Sequence, residues 1–203
     1  MFNFTDQLFL DGYAKRFGRL NAPLADNILR VLHFIEADSR FAANPVDRYK
    51  IAYMLATFKW ETAHTFAPID EFGGDAYFEK RYGYQTNTGK RLGNTAPGDG
   101  ALYHGRGYVQ LTGKANYQRA SQAFGVDLLK TPDQAKEPGL AYQIAASGMI
   151  AGAFTGRKFS QYFKAGAAPD YDAARAIING TDRAAEIADL ARRFDELLVI
   201  SLA

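Results

Sequence analysis

The spacing of apolar residues changes abruptly along this chain. Leu24, Ile28, Val31, Leu32 and Ile35 recur at helical intervals, and Ile51, Met54, Leu55, Phe58 and Thr62 follow along one face of a second helix. From Ala67 to Leu102 that period vanishes. The segment is instead rich in Gly, Asn, Thr, Asp and aromatic residues, and reads as long loop with short strands. A long irregular stretch inside a compact chain is usually functional, and this one is too aromatic for a solvated linker. Helical spacing then returns and ends with Ile187, Leu190, Ala191, Phe194, Leu197 and Leu198. These alternatives leave a mostly α fold with one loop-rich region in its middle.

Local signals set the boundaries. Thr5 is placed to cap a first helix. Asn44-Pro45 combines a capping side chain with proline at the first helical position, so a helix should start there and carry Glu61 near its C-terminal end. Lys114 to Phe124 reads as a helix. Thr131-Pro132 opens another, which Pro138-Gly139 breaks before the apolar "LAYQIAASGMIAGAF". Asp170 to Asn179 reads as one amphipathic helix ended by Gly180, and Thr181 or Asp182 caps the last helix.

Composition excludes several kinds of chemistry. Hydrophobic residues make up 47% of the 203, enough for a sizeable core in one domain spanning 1–203. A net charge of +2 does not make a nucleic-acid binder. With no cysteine, disulfides, thiolate catalysis and Cys-based zinc sites are ruled out. The three histidines, His33, His64 and His104, form no metal-binding spacing, so no metal or organic cofactor is expected. The N-terminus lacks the pattern of a secretory signal, and no stretch approaches the about 18 apolar residues of a membrane span. On this reading the product is made in the cytoplasm.

Two carboxylates stand out in "KWETAHTFAPIDEFGG". Glu61 sits at a helix end among Phe58, Trp60 and Phe66; Glu71 lies ten residues on, past Pro68, in the loop. Glycoside hydrolysis needs a pair in such different surroundings: a proton donor near apolar groups, and an ionised partner in a wetter site. Glu pairs at this spacing are more often plain surface charges, and Glu79 is a rival for the second role. Downstream, "YHGRGYVQLTGKANY" alternates, so Tyr108, Gln110 and Thr112 share one side of a short extended segment, with Val109 and Leu111 on the other. Its amides, hydroxyls and tyrosine faces match what sugars require, though an ordinary turn with core tyrosines has the same composition. Arg106 is placed to pair with Glu61 or Glu71, and His104 to assist.

"GRGYVQLTGKANY" resembles the G-R-G-x-[IV]-Q-L-[ST]-x-x-x-N-Y motif of family 19 glycoside hydrolases, the plant and bacterial chitinases and related phage endolysins. "WETAHTFAPIDE" resembles the segment that carries the family's general acid and base, and "AIINGTD" resembles its late I-N-G segment. The resemblance implies a lysozyme-like fold, two helical lobes around a cleft with a small β region, and an inverting mechanism. It implies Glu61 as general acid, Glu71 as general base and Thr112 as holder of the attacking water. Gln110, Asn116, Tyr117 and Asn179 would line sugar subsites, joined by Tyr108, Arg106 and His104. Trp60 stands where the family has His, and Ala63-His64 where it has Gly-Gly. Small size and the missing export signal favour an endolysin that cleaves bacterial peptidoglycan. It would act as a monomer, released through a holin-type pore, with residues 119–170 as the place for a wall-binding helical insertion. A chitinase acting on chitin oligomers and a non-catalytic glycan-binding protein remain as alternatives.

Overall fold

A computed structural model describes residues 1–202. Its elements in chain order are α1 (Asp6–Phe17), α2 (Ala22–Ala37), α3 (Pro45–Glu61), β1 (Ile69–Asp70), α4 (Asp75–Tyr82), α5 (Asn87–Arg91), α6 (Asp99–Leu102), β2 (Arg106–Gly107), α7 (Lys114–Phe124), α8 (Pro138–Ala151), α9 (Tyr171–Ala174), α10 (Ala176–Asn179) and α11 (Ala184–Ser201). Short 3₁₀ turns lie at Pro132–Lys136 and Phe159–Gln161. The fold is mostly α. It divides into two compact units, Met1–Phe66 with Ala146–Ala203, and Ala67–Ala145. Among the described residues no helix is long and apolar enough to cross a membrane.

The first unit is built on α3, against which α11 packs. Asn44 caps α3 by accepting the Asp47 N–H at 2.9 Å, with Pro45 at the first helical position, as the sequence predicts. The helix is not amphipathic, however: residues 51 to 59 are all buried. Ala52 and Ala56 fill the face opposite Met54 and Phe58, and both faces are buried. α1 packs on α11, and the two ends of the chain meet: Phe4 pairs with Leu202, and the Thr5 N–H donates to the Ser201 carbonyl at 2.8 Å. Thr5 precedes α1 without a side-chain cap. Arg183, in the left-handed region, precedes α11 in place of the expected Thr181 or Asp182 cap. The predicted helix over 170–179 is broken at Arg175 into two four-residue pieces.

α3 ends in a strained turn. Ala63 (φ 49°), His64 (φ 67°) and Phe66 (φ 54°) all occupy the left-handed region, an unfavourable conformation for side chains other than glycine. Thr62 holds the turn together. Its hydroxyl donates to the Phe58 carbonyl at 2.6 Å and accepts the Phe66 N–H at 2.9 Å. The Phe66 ring is fully buried, edge-on to Tyr13 and Phe194. Burying that ring offsets the strain and fixes Glu61 as the last residue of α3.

In the second unit β1 and β2 pair antiparallel, Ile69 opposite Gly107 and Asp70 opposite Arg106. The region expected to be loop also contains α4, α5 and α6. Each is too short to show a period in the sequence: α4, the longest, has eight residues. Phe78, Tyr82, Tyr103, Tyr108, Leu111, Tyr117 and Leu128 form the core of this unit. α7 runs from Lys114 to Phe124, the span expected from sequence, between Gly113 and Gly125. The residues expected as an extended strand form a tight turn instead. Arg106 bridges to Leu111 and Gln110 adopts φ 54°. The helix expected after Thr131-Pro132 is only the 3₁₀ turn Pro132–Lys136, and it breaks before Pro138-Gly139, which opens α8.

One buried cation gives the first unit a pH signature. Lys59 is 7% exposed, and its ammonium donates to the Tyr13 hydroxyl at 2.7 Å and lies over the Tyr13 and Phe17 rings. Burial, then the Arg193 charge, pushes its pKa down to about 8, while burial pushes the Tyr13 phenol up to about 12. In the unfolded chain lysine titrates near about 10.4 and tyrosine near about 10. Between pH 8 and about 10 the unfolded state therefore binds more protons at Lys59, and the contribution of Lys59 to stability rises with pH. Above about 10 the unfolded tyrosine ionises first, and Tyr13 opposes the rise. The wild type should gain stability relative to Lys59→Met between pH 8 and about pH 10, read as the difference between their urea midpoints; parallel profiles for the two proteins would contradict this.

Candidate active site

The sequence singles out residues in both units, and each set has its own surroundings. In the first unit the Glu61 carboxylate, 17% exposed, accepts from an Arg175 guanidinium N–H at 2.8 Å. Arg175 is 2% exposed, and its Nε donates to the Asp182 carbonyl at 2.8 Å. Tyr53, fully buried, lies within the electrostatic reach of this pair, and its pKa is pushed up to about 12, by burial foremost. Asn179 lies one helical turn beyond Arg175, exposed at the end of α10, where Gly180 (φ 53°) ends the helix.

In the second unit Glu71 follows directly on β1. Its N–H donates to the Gly105 carbonyl at 2.8 Å, and its Oε2 accepts the Gly105 N–H at 3.2 Å. Its Oε1 accepts the Tyr82 hydroxyl at 2.8 Å, with the Arg81 guanidinium 3.8 Å away. A β-carbon on Gly105 would meet Gln110 Oε1 at 2.8 Å, Glu71 Oε2 at 3.1 Å and Thr112 Oγ1 at 3.2 Å. Three side chains of the sequence reading therefore converge over one bare α-carbon. The Thr112 hydroxyl donates to the Gln110 carbonyl at 2.8 Å, so toward any further partner it is an acceptor. Gln110 is itself oriented by the Ile69 and Gly107 carbonyls, each 3.2 Å from its amide nitrogen. Asn116 donates to the Thr112 carbonyl at 2.6 Å.

The remaining predicted residues serve the scaffold. Tyr108 and Tyr117 are 1% and 0% exposed, so they are core rings rather than faces open to a ligand. Arg106 pairs with neither Glu61 nor Glu71. It contacts Asp133 at 3.0 Å and Asp70 at 3.2 Å and donates to the Tyr117 hydroxyl at 2.9 Å, because β pairing places Asp70 directly opposite it. His104 stacks on Phe78, with ring centroids 4.4 Å apart, and bridges the Ala101 carbonyl and Asp70. Burial alone would raise the Asp70 carboxyl, but hydrogen bonds from Lys136 and His104 hold it below the usual carboxylate range. Glu79, the rival second carboxylate, accepts the Ala101 N–H at 2.8 Å and braces α6. Sequence reasoning missed Arg175, Tyr82 and Arg81. Nothing local to Arg175 signals a partner 114 positions away.

The chitinase class I model of glycoside hydrolase family 19 matches residues 26–186. The chain belongs to glycoside hydrolase family 19. An endochitinase of Arabidopsis thaliana is 39% identical to this family 19 chain over 102 residues, 49% of the chain and 35% of that protein. A second from the same plant is 31% identical over 146 residues, 70% of the chain and 47% of that protein. The chain thus spans between a third and a half of the length of these two curated relatives. Among solved structures, chitinase C from Streptomyces griseus superposes with a TM-score of 0.61 at 19% identity, over 98% of this chain and 77% of that one. A class IV chitinase from Zea mays gives 0.56 at 16% identity, over 98% and 94%. These likenesses establish the mostly α, lysozyme-like fold of the family.

Glu61 is the anionic partner of a buried guanidinium, which separates the effects of two substitutions. Glu61→Leu leaves Arg175 charged and buried without its anionic partner, and should cost about 3–5 kcal/mol of stability. Glu61→Gln keeps an acceptor oxygen and should cost less than half of that. Urea denaturation checks both; a Glu61→Leu protein as stable as wild type would contradict the pairing.

Proposed function

We propose that this family 19 chain hydrolyses chitin-type polymers of β-1,4-linked N-acetylglucosamine by an inverting mechanism, with Glu61 as general acid and Glu71 as general base. The observation that carries the reading is the convergence of Glu71, Thr112 and Gln110 over Gly105. A water bridging Glu71 and Thr112, outside their contact with Gly105, donates one O–H to Glu71 Oε2 and the other to Thr112 Oγ1, whose own hydrogen is committed to the Gln110 carbonyl. Its lone pair is then free to attack an anomeric carbon. Glu61, an anion beside Arg175 at rest, first takes a proton from solvent; as the new C–O bond forms, Glu71 takes the water proton and Glu61 gives its proton to the departing glycosidic oxygen. An inverting reaction requires acid and base carboxyls roughly 6.5–9.5 Å apart, which leaves room for that water.

The relatives bear on the substrate. They are named as endochitinases and chitinases, and their names favour chitin over the peptidoglycan expected from sequence. The chitinase alternative therefore replaces the endolysin as the leading reading. Hydrolysis separates both from a glycan-binding protein without activity.

Release of reducing ends from a chitin hexasaccharide and from purified peptidoglycan tests the substrate directly. The chain should act on the hexasaccharide; activity on peptidoglycan alone would overturn the chitin reading. Glu61→Gln should lower turnover by about 10²–10⁴-fold with the fold intact, and undiminished activity would remove the assignment. Thr112→Ala should lose less. Gly105→Ala, whose new methyl displaces three side chains, should lose more activity than stability.

A further inference from the structure

One exposed aromatic residue next to Glu71 has no part in the chemistry above. Phe72 is 78% exposed. Isolated apolar residues on a surface are common and mean little alone. The setting of Phe72 is more specific. On one side the Glu71 N–H is tied to the Gly105 carbonyl at 2.8 Å. On the other, the bare backbone of Gly73 lies against α4: a β-carbon there would come within 2.6 Å of the Tyr77 ring and 2.9 Å of the Phe78 ring. The backbone is thus anchored on both sides while the Phe72 ring stays in solvent.

The neighbours extend the surface. Tyr77 is 44% exposed, and the Arg81 side chain 56%. One turn apart on α4, they are joined by a hydrogen bond from the Arg81 guanidinium to the Tyr77 hydroxyl. Arg81 also stacks over the Tyr77 and Tyr82 rings and lies 3.8 Å from Glu71. Two exposed rings and a fixed guanidinium therefore adjoin the proposed base. A pyranose has the complementary surface: a C–H face that packs on an aromatic ring, and hydroxyl and acetamido oxygens that accept from a guanidinium.

We infer that Phe72, with Tyr77 and Arg81, forms a saccharide subsite beside Glu71 that holds an N-acetylglucosamine unit of the chain being cut. The inference rests on the proposed function, yet its test separates the two. In the Glu61→Gln background, calorimetric titration with the chitin hexasaccharide should show Phe72→Ala raising Kd by about 3- to 10-fold. Phe72→Tyr, which keeps the ring, should restore the affinity. In the active chain Phe72→Ala should raise KM more than it lowers kcat, the pattern of lost uniform binding. The melting temperature should barely change, because the ring is 78% exposed. Equal affinity with and without the ring, or no binding of the hexasaccharide, would overturn the subsite. Ring-dependent binding by a wild-type chain that releases no reducing ends would uphold the subsite and overturn the hydrolytic reading.

Discussion

A guanidinium that is 2% exposed inside a helical unit must be answered by an anion, and Glu61 is the anion that answers Arg175. Other features of the first unit follow from that pairing. α3 has to end at Glu61, so that its carboxylate emerges where the guanidinium lies. The chain then has to turn away at once, through three side-chain-bearing residues in the left-handed region, with the Thr62 hydroxyl closing the turn. The break between α9 and α10 falls at Arg175 itself. A charge pair of this kind is poor evidence for stability, since an apolar replacement of both partners often does as well. Its retention fits a need for a carboxylate held in one orientation.

The second unit solves a different problem, holding a carboxylate, a hydroxyl and an amide around one point. Its solution is the absence of a side chain at Gly105, surrounded by a firm frame. β1 and β2 set Glu71 against Gly105, the Arg106–Leu111 bridge turns Gln110 and Thr112 back over it, and Tyr82 fixes the far oxygen of Glu71. The charged cluster of Asp70, His104, Arg106, Asp133 and Lys136 secures the same hairpin from behind.

Features encoded within a few residues were legible in the sequence. Asn44-Pro45 announced the start of α3, the helix read over Lys114 to Phe124 is α7, and Glu61 fell at a helix end as the pattern required. Features that depend on distant partners were not. The alternation of "YVQLT" suggested a strand, but pairing of Arg106 with Leu111 bends it into a turn and buries Tyr108. Arg106 was read as a partner for a catalytic carboxylate, whereas the β register gives it Asp70. Short helices such as α5 and α6 offer no period to detect, and Arg175 gives no local sign of Glu61, 114 residues before it.

The assignment of two carboxylates to a single-displacement hydrolysis is tested most directly by the configuration of the first product. Proton NMR during the first minutes of chitin hexasaccharide cleavage reads the new reducing end before it mutarotates. Inversion predicts that the α-anomer appears first from the β-linked substrate. Initial release of the β-anomer would mean that a covalent or substrate-assisted route operates, and that Glu71 does not activate water in one step.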